Sequence, residues 1–402
     1  MKTQAAAIEF GTSKIVTILA ESGGFNRCEI IGSGTVYYDG YKGGYWNRPD
    51  LLADAVRNSI SAAELEAKTR IRSVYVGVPC EYFKVRVAEA EIDIDSADGR
   101  IWDEHVDAVM DAAADKLRLV EMEATVIHRS PAWFSADDKK HTLNIVGTSA
   151  AKLKAMVSFI VVDPDFMEDV CELFSALGIT VMGFFAPVLG QVLLTLPQED
   201  RERSAILVDV GYLNTEITVA EGEACVYHAV LPIGGGNIAA DLVYDLQLSL
   251  REAEEIKRTF QLIEDGFDKP LPVVTLMDEF GGRLELPREA VKSSIEHSLD
   301  ELCDMIGKTI RDAADMTGPR SQIYLTGGGI AMMKGGREYL SQKLERPVRM
   351  PAPRTNRLSN PNYTSVLGML DLVFDALEER TPQDESLPGK LVNSVKNMFG
   401  RK

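Results

Sequence analysis

Hydrophobic spacing along the chain switches between the two-residue period of strands and the 3.6-residue period of helices, and the switches mark out elements. Runs of small and β-branched residues predict a strand hairpin over residues 5–38, followed by a Gly/Tyr-rich loop at 39–48. From Pro49 to about Lys68, the residues Leu51, Leu52, Ala55, Val56 and Ile60 recur at helical spacing, and SVYVGVP at 73–79 is a strand. Up to about residue 162 the order is strand, helix, strand, strand: VRVAEAEIDI alternates, DEHVDAVMDAAADKL is amphipathic, and two β-rich runs follow. That insertion, about 80 residues long, is large enough for its own core. A helix in DFMEDVCELFSALGI, the strand TVMGFF, a helix from Ala186 to Leu196 and the polar break LPQEDRER come next. The second half opens on another strand, carries a segment at about 245–295 with a short helix and a Gly/Pro-rich loop, and continues through a long amphipathic helix. Two halves that each open with a strand running into a glycine predict internal pseudo-symmetry.

Three such strand-to-glycine turns occur: AAAIEFGTSK at 5–14, ILVDVGYLNTE at 206–216 and IYLTGGGIAMMKGG at 323–336. Glycine after a buried strand allows positive φ and a close approach of backbone to ligand. Backbone N–H groups in a tight Gly/Thr turn form a concave nest for phosphate oxygens, and a carboxylate at a strand end can hold the water shell of Mg²⁺. The candidates are Gly11, Thr12, Ser13 and Lys14 in the first turn and Gly211, Asn214 and Thr215 in the second, with Glu9 and Asp209 facing the metal. One turn of this kind is equally an ordinary hairpin; three in order point to a nucleotide cleft.

Composition narrows the field. A chain of 402 residues with 45% apolar residues fills two lobes or more. A net charge of −18 argues against nucleic acid as the main ligand, which needs clustered Lys and Arg. The cysteines, Cys28, Cys80, Cys171, Cys225 and Cys303, form no C-x-x-C pair, and their odd number fits reduced thiols in the cell interior. The histidines have no zinc-ligand spacing, and His128 is expected to be packed or solvated rather than catalytic. The amino terminus enters the first strand directly, so neither a signal peptide nor a spanning helix is expected there.

The tail has its own pattern. EERTPQDESLPG, at 378–389, lacks core-forming residues and predicts a flexible linker. In KLVNSVKNMFGRK after it, Leu391, Val392, Val395, Met398 and Phe399 fall within an arc of about 120° on a helical wheel, with Lys396 at its border. Two readings stand: a last core helix, or a helix lying in a membrane surface. The linker, and four basic residues with no acid in an otherwise acidic chain, favour the membrane.

The three turns, in this order and at these separations, resemble the phosphate-1, phosphate-2 and adenosine segments of the actin-like ATPase superfamily. A fourth element, AEEIKRTF at 253–260, has the E-x-x-K-R spacing with which related heat-shock chaperone ATPases hold adenosine, and it places Glu254, Lys257 and Arg258 on one helical face. Its plain alternative is a salt-bridged surface helix. SVYVGVP, HRSPAWF at 128–134 with Gly147, PIGGGNIAADLV at 232–243 and TSVLGML at 364–370 are similar to segments of the bacterial FtsA family, so the resemblance spans nearly the whole chain. It implies an actin-like two-lobed α/β ATPase fold with an inserted α/β subdomain and a C-terminal amphipathic helix. The first-lobe core would occupy 1–82 and 165–199 and be closed by a helix at 363–377, with the interaction subdomain at 83–164. The second-lobe core would occupy 200–244 and 296–362, with a small subdomain at 245–295, then a linker at 378–388 and a membrane helix at 389–402.

The resemblance adds Gly235, Gly236, Asn237, Gly327, Gly328 and Gly329 to the nucleotide contacts. It implies ATP and Mg²⁺ bound between two lobes, at most slow ATP hydrolysis with no catalytic residue identified, and polymerisation with itself. It further implies a location at the cytoplasmic face of the membrane at the division site, on anionic lipids, where the protein tethers the tubulin-like protein FtsZ. Other division proteins would dock through the inserted subdomain. The alternatives are a soluble sugar or acid kinase, or a pilus-assembly or chaperone-like adaptor of the same superfamily. A kinase needs a general base, and the helix after TVMGFF offers no carboxylate. One departure stands out: where the family has consecutive glycines after Gly211, this chain has Tyr212 and Leu213, which would crowd the second phosphate turn.

Overall fold

The computed structural model describes residues 2–23, 28–38, 41–46, 48–119, 125–263, 271–278, 281–318, 320–351 and 357–378. The linker and amphipathic helix, with Leu391, Val392, Val395, Lys396, Met398 and Phe399, lie outside the described residues. The chain forms two compact units: Met1–Ala205, Thr218–His228 and the residues from Ser365 on make the first, Ile206–Ile217 and Ala229–Thr364 the second.

The first unit opens with three antiparallel strands, β1 (Gln4–Phe10), β2 (Lys14–Ser22) and β3 (Cys28–Tyr37). The region expected to be a plain loop holds a small hairpin, β4 (Tyr41–Lys42) and β5 (Tyr45–Trp46), because Gly43 and Gly44 take positive φ and turn the chain back on itself. Helix α1 (Pro49–Ala67) buries Leu52, Ala55, Val56, Ile60 and Ala63, the face its periodicity predicts. Gly32 and Gly34 let it lie on β3, since a Cβ at either would run into the carbonyl of Ala63 or Ser59. Strand β6 (Ser73–Gly77) pairs parallel with β1.

The insertion is β7 (Phe83–Asp93), α2 (Asp103–Lys116), β8 (Thr125–Ala136) and β9 (Lys152–Val162), with sheet order β7-β9-β8. Its core includes Val109, Ala113, Phe134, Leu153 and Phe159. Helix α3 (Pro164–Ala176) then leads to β10 (Thr180–Phe185), which completes a sheet of order β10-β6-β1-β2-β3. Helix α4 (Pro187–Thr195) follows. The segment expected to be a polar break contains a short helix, α5 (Gln198–Arg201), and Arg201 is buried. Its guanidinium donates from Nε to the Gly222 carbonyl at 2.8 Å and from Nη1 to the Leu196 carbonyl, so it satisfies two buried acceptors. His128 of β8 is also buried, as a packed residue: its Nε2 accepts the Ala186 N–H at 2.9 Å and joins the insertion to the start of α4.

The second sheet contains β11 (Ala205–Val210), β12 (Thr215–Glu221) and β13 (Ala224–Leu231). Helices α6 (Gly235–Leu246) and α7 (Leu250–Thr259), the hairpin β14 (Val273–Met277) with β15 (Arg283–Pro287), and the long α8 (Arg288–Asp312) come next. Strand β16 (Gln322–Thr326), α9 (Gly336–Lys343) and β17 (Val348–Arg349) end the second unit, and α10 (Thr364–Glu378) belongs to the first from Ser365 on. The order β13-β12-β11-β16-β17 repeats that of the first sheet read from its other edge, with β11, β12 and β13 in the places of β1, β2 and β3. This duplication is the pseudo-symmetry that the repeated turns predict.

Candidate functional site

Both β-hairpin turns close in the same way. The Gly11 N–H donates to the Lys14 carbonyl at 2.9 Å in the first unit, and the Gly211 N–H to the Asn214 carbonyl at 2.9 Å in the second. Neither glycine takes positive φ, contrary to the expectation from sequence; of the three turn glycines, Gly327 does, at +92°. Glycine is needed at the other two for space: a Cβ on Gly11 would stand 3.1 Å from the Lys14 carbonyl oxygen, and one on Gly211 would stand 2.8 Å from Asn214 Oδ1.

The second unit gathers most of the candidates. The N–H groups of Gly235 and Gly236, at the start of α6, donate to the carbonyls of Gly211 and Tyr212 at 2.9 and 2.6 Å, and the Gly329 N–H donates to the Val210 carbonyl at 2.7 Å. A Cβ on Gly235 would press on Gly329, and one on Gly327 would collide with Asp209 Oδ1 and the Val210 carbonyl. Asp209, Gly211, Gly235, Gly236, Gly327 and Gly329 therefore lie at one place because three backbone segments meet there without side chains between them. The amides of Gly235 and Gly236 hold the turn. Gly328 has more room, with Asn362 Cβ 3.1 Å from where a Cβ would be. Asn237 Oδ1 accepts the Gly234 N–H at 3.0 Å, and Thr215 Oγ1 donates to the Ile233 carbonyl at 2.7 Å, so both fix the backbone around the turn.

The E-x-x-K-R helix is α7, and it is not a solvated surface face. The Lys257 side chain is 4% exposed and that of Glu254 17%, against 62% for Arg258. Lys257 Nζ reaches Glu254 Oε1 at 2.6 Å and the Gly235 carbonyl at 2.9 Å, and Arg258 meets the same carboxylate at 3.3 Å. Burial holds the Lys257 ammonium below its ordinary range, while the Glu254 carboxylate pulls the other way. Sequence alone does not show what Tyr212 does here: its ring lies 5.2 Å from Lys257 Nζ. The phenol is pushed up by burial and by the charge and hydrogen bonding of Glu254.

In the first unit, Thr12 is buried, and Glu9 at the end of β1 accepts a hydrogen bond from the Ser365 hydroxyl of α10. Among the described residues no group of three or more His, Cys, Asp or Glu could hold a metal. Helix α4 meets α10 through Gly190 and Gly368, where a Cβ on either would enter the other's backbone, and α4 carries no carboxylate. Residues that sequence reading missed are Thr326 and Thr364, whose hydroxyls lie 2.8 Å apart, and Asn362 beside Gly328.

Residues 206–368, which take in the glycine cluster and α7, match the family model of the cell division protein FtsA. Relatives named cell division protein FtsA include that of Borreliella burgdorferi, 25% identical over 370 residues, covering 90% of this chain and 89% of that protein. Those of Pseudomonas aeruginosa and Escherichia coli K12 are each 24% identical, cover 90% of this chain, and are themselves covered to 87% and 88%. Over about nine-tenths of its length the chain is similar to FtsA proteins, which supports a divergent relative of that family. Its fold is actin-like. A chain of the PilM–PilN type IV pilus biogenesis complex superposes with a TM-score of 0.62 at 18% identity, over 92% of this chain and 98% of that one. The ethanolamine utilization protein EutJ of Carboxydothermus hydrogenoformans gives 0.52 at 12% identity, over 91% and 88%. Tyr212 is accommodated because its carbonyl accepts an N–H at the start of α6 and its ring turns toward α7.

Proposed function

We propose that this FtsA-like chain is an ATP- and Mg²⁺-binding, filament-forming adaptor that tethers FtsZ to the cytoplasmic face of the membrane at the division site. The observation that carries the nucleotide reading is the convergence of Asp209, Gly211, Gly235, Gly327 and Gly329 beside the buried face of Glu254 and Lys257. Gly327, Gly328 and Gly329, with Glu254, Lys257 and Arg258, are the candidates for the nucleoside; Gly211, Asn214 and Thr215 are those for phosphate on the second unit. Gly11, Thr12, Ser13 and Lys14 are the phosphate candidates on the first. Bound Mg²⁺ would neutralise phosphate charge, with Asp209 and Glu9 as the carboxylates that hold its waters. Because α4 presents Gln191 and no carboxylate, no general base is supplied from that helix, and turnover is slow or absent.

The membrane part rests on the sequence of residues 389–402. Half-burying its five apolar side chains is worth roughly 5–8 kcal/mol, less the cost of ordering a short helix. Attachment is therefore weak for one copy and firm for a polymer. The relatives favour division over the kinase and pilus readings, since they match over about nine-tenths of the chain and are named as division proteins. Sedimentation with anionic vesicles tests the membrane part: the full chain should pellet, and a chain ending at residue 388 should stay in solution. Equal pelleting of both would overturn it. A rise in melting temperature with millimolar ATP and Mg²⁺ tests the nucleotide part.

A further inference from the structure

We propose that the Tyr212 side chain is an internal occupant of the nucleoside-holding part of the second unit, completing the Glu254–Lys257 cluster when no nucleotide is bound. The idea rests on the nucleotide reading above and concerns the regulation of that same site. Its ground is geometric. Tyr212 is a half-buried tyrosine whose backbone is pinned, its carbonyl accepting the Gly236 N–H at 2.6 Å. The ring packs against the start of α6 so closely that a Cβ on Gly236 would stand 3.0 Å from its Cε1 and 3.1 Å from its Cζ. From there it reaches under the Lys257 ammonium, 5.2 Å from ring centre to Nζ.

Glu254 and Lys257 are what a nucleoside would need: an acceptor and a donor side by side on a buried helix face, suited to sugar hydroxyls. The two already bond to each other, and a further donor for the carboxylate and a π face for the ammonium add to the pair's stability. Tyrosine is the side chain that meets both needs, with a hydroxyl for the carboxylate and a π face for the ammonium. The raised phenol keeps its proton and so remains a donor to Glu254 at neutral pH. Glycine in this position would leave the cluster open to solvent and ligand. A nucleotide must therefore displace the ring, and its apparent affinity falls by the fraction of molecules in which the ring is out.

Equilibrium dialysis with ATP and Mg²⁺ on the full chain and on Tyr212→Gly and Tyr212→Phe, each checked for folding by circular dichroism, tests this. The Gly variant should bind ATP about tenfold more tightly than the unaltered chain, and the Phe variant, which keeps the ring but loses the hydroxyl, should lie between them. Without nucleotide, the Gly variant should melt below the unaltered chain because the Lys257 ammonium loses the ring and Glu254 loses the phenol. If the unaltered chain binds ATP and neither variant binds it more tightly, the internal-occupant proposal falls while the nucleotide reading stands. If none of the three binds ATP although all are folded, both fall together. Should the Gly variant not fold, the Phe variant decides alone, and an affinity equal to that of the unaltered chain overturns the proposal.

Discussion

Acid should weaken the first unit through His128 in a way that one substitution removes. The ring is 2% exposed, and burial holds its pKa at about 3 against an ordinary 6.5, so the fold admits only the neutral form. The sign follows from linkage: below the unfolded pKa the unfolded chain takes up a proton that the folded chain refuses. The contribution of His128 is therefore complete above pH 6.5 and is lost as pH falls from there toward 3. At pH 4.5 the loss is about 3 kcal/mol, since each pH unit is worth about 1.36 kcal/mol. His128→Gln removes the titration while keeping an acceptor for the Ala186 N–H. All three tryptophans, Trp46, Trp102 and Trp133, lie in the first unit, so tryptophan fluorescence during urea unfolding follows that unit. Between pH 7.5 and 4.5 the unaltered chain should lose about 3 kcal/mol more than the Gln variant, the carboxylates common to both cancelling in the difference. Parallel profiles would refute a buried, neutral His128.

Other consequences follow from close contacts in both units. Gly368→Ala should destabilise the first unit by about 3 kcal/mol or more, because the new methyl enters the Gly190 backbone, and the same fluorescence measurement reads it. Gly327→Ala should destabilise the second unit, since it combines a φ of +92° with a collision at Asp209, and differential scanning calorimetry reads this. Gly328→Ala, whose methyl meets only Asn362 Cβ at 3.1 Å, should leave the fold within about 1 kcal/mol and lower ATP affinity, which makes it the cleaner probe of the cradle. Arg201→Met should cost about 3 kcal/mol, because two buried carbonyls lose a charged donor. ATP hydrolysis by the unaltered chain should run well below the ~10 per second of a typical enzyme in a phosphate-release assay.

Much of the fold is legible in local pattern. Helix α1 buries Leu52, Ala55, Val56 and Ile60 because helical spacing puts them on one face, and Leu51, at the edge of that face, is 39% exposed. The strand-to-glycine turns identify the second-unit cluster because the close approach of its backbone segments excludes side chains, and that exclusion is written in residue type. What pattern does not carry is the partner at long range. Gly190 and Gly368 read alone as weak spots in helices, and nothing near either shows that they touch. Arg201 lies in a run of charges that looks solvated, yet its carbonyl partners are fixed by the fold. Glu9 meets Ser365 across most of the chain. Tyr212 is legible as a departure in the phosphate turn, but its reach to α7 depends on how α6 docks, which no local rule states.

The adaptor account is tested most directly by asking whether the chain brings FtsZ of the same organism to a membrane. FtsZ is mixed with anionic vesicles, ATP and Mg²⁺, and with either the unaltered chain or Phe399→Glu, which places a charge where the tail must enter the acyl boundary. FtsZ should pellet with vesicles only when the unaltered chain is present, and should remain in solution with Phe399→Glu although that variant still takes up ATP. FtsZ that pellets equally with the variant, or with neither protein, would contradict the account.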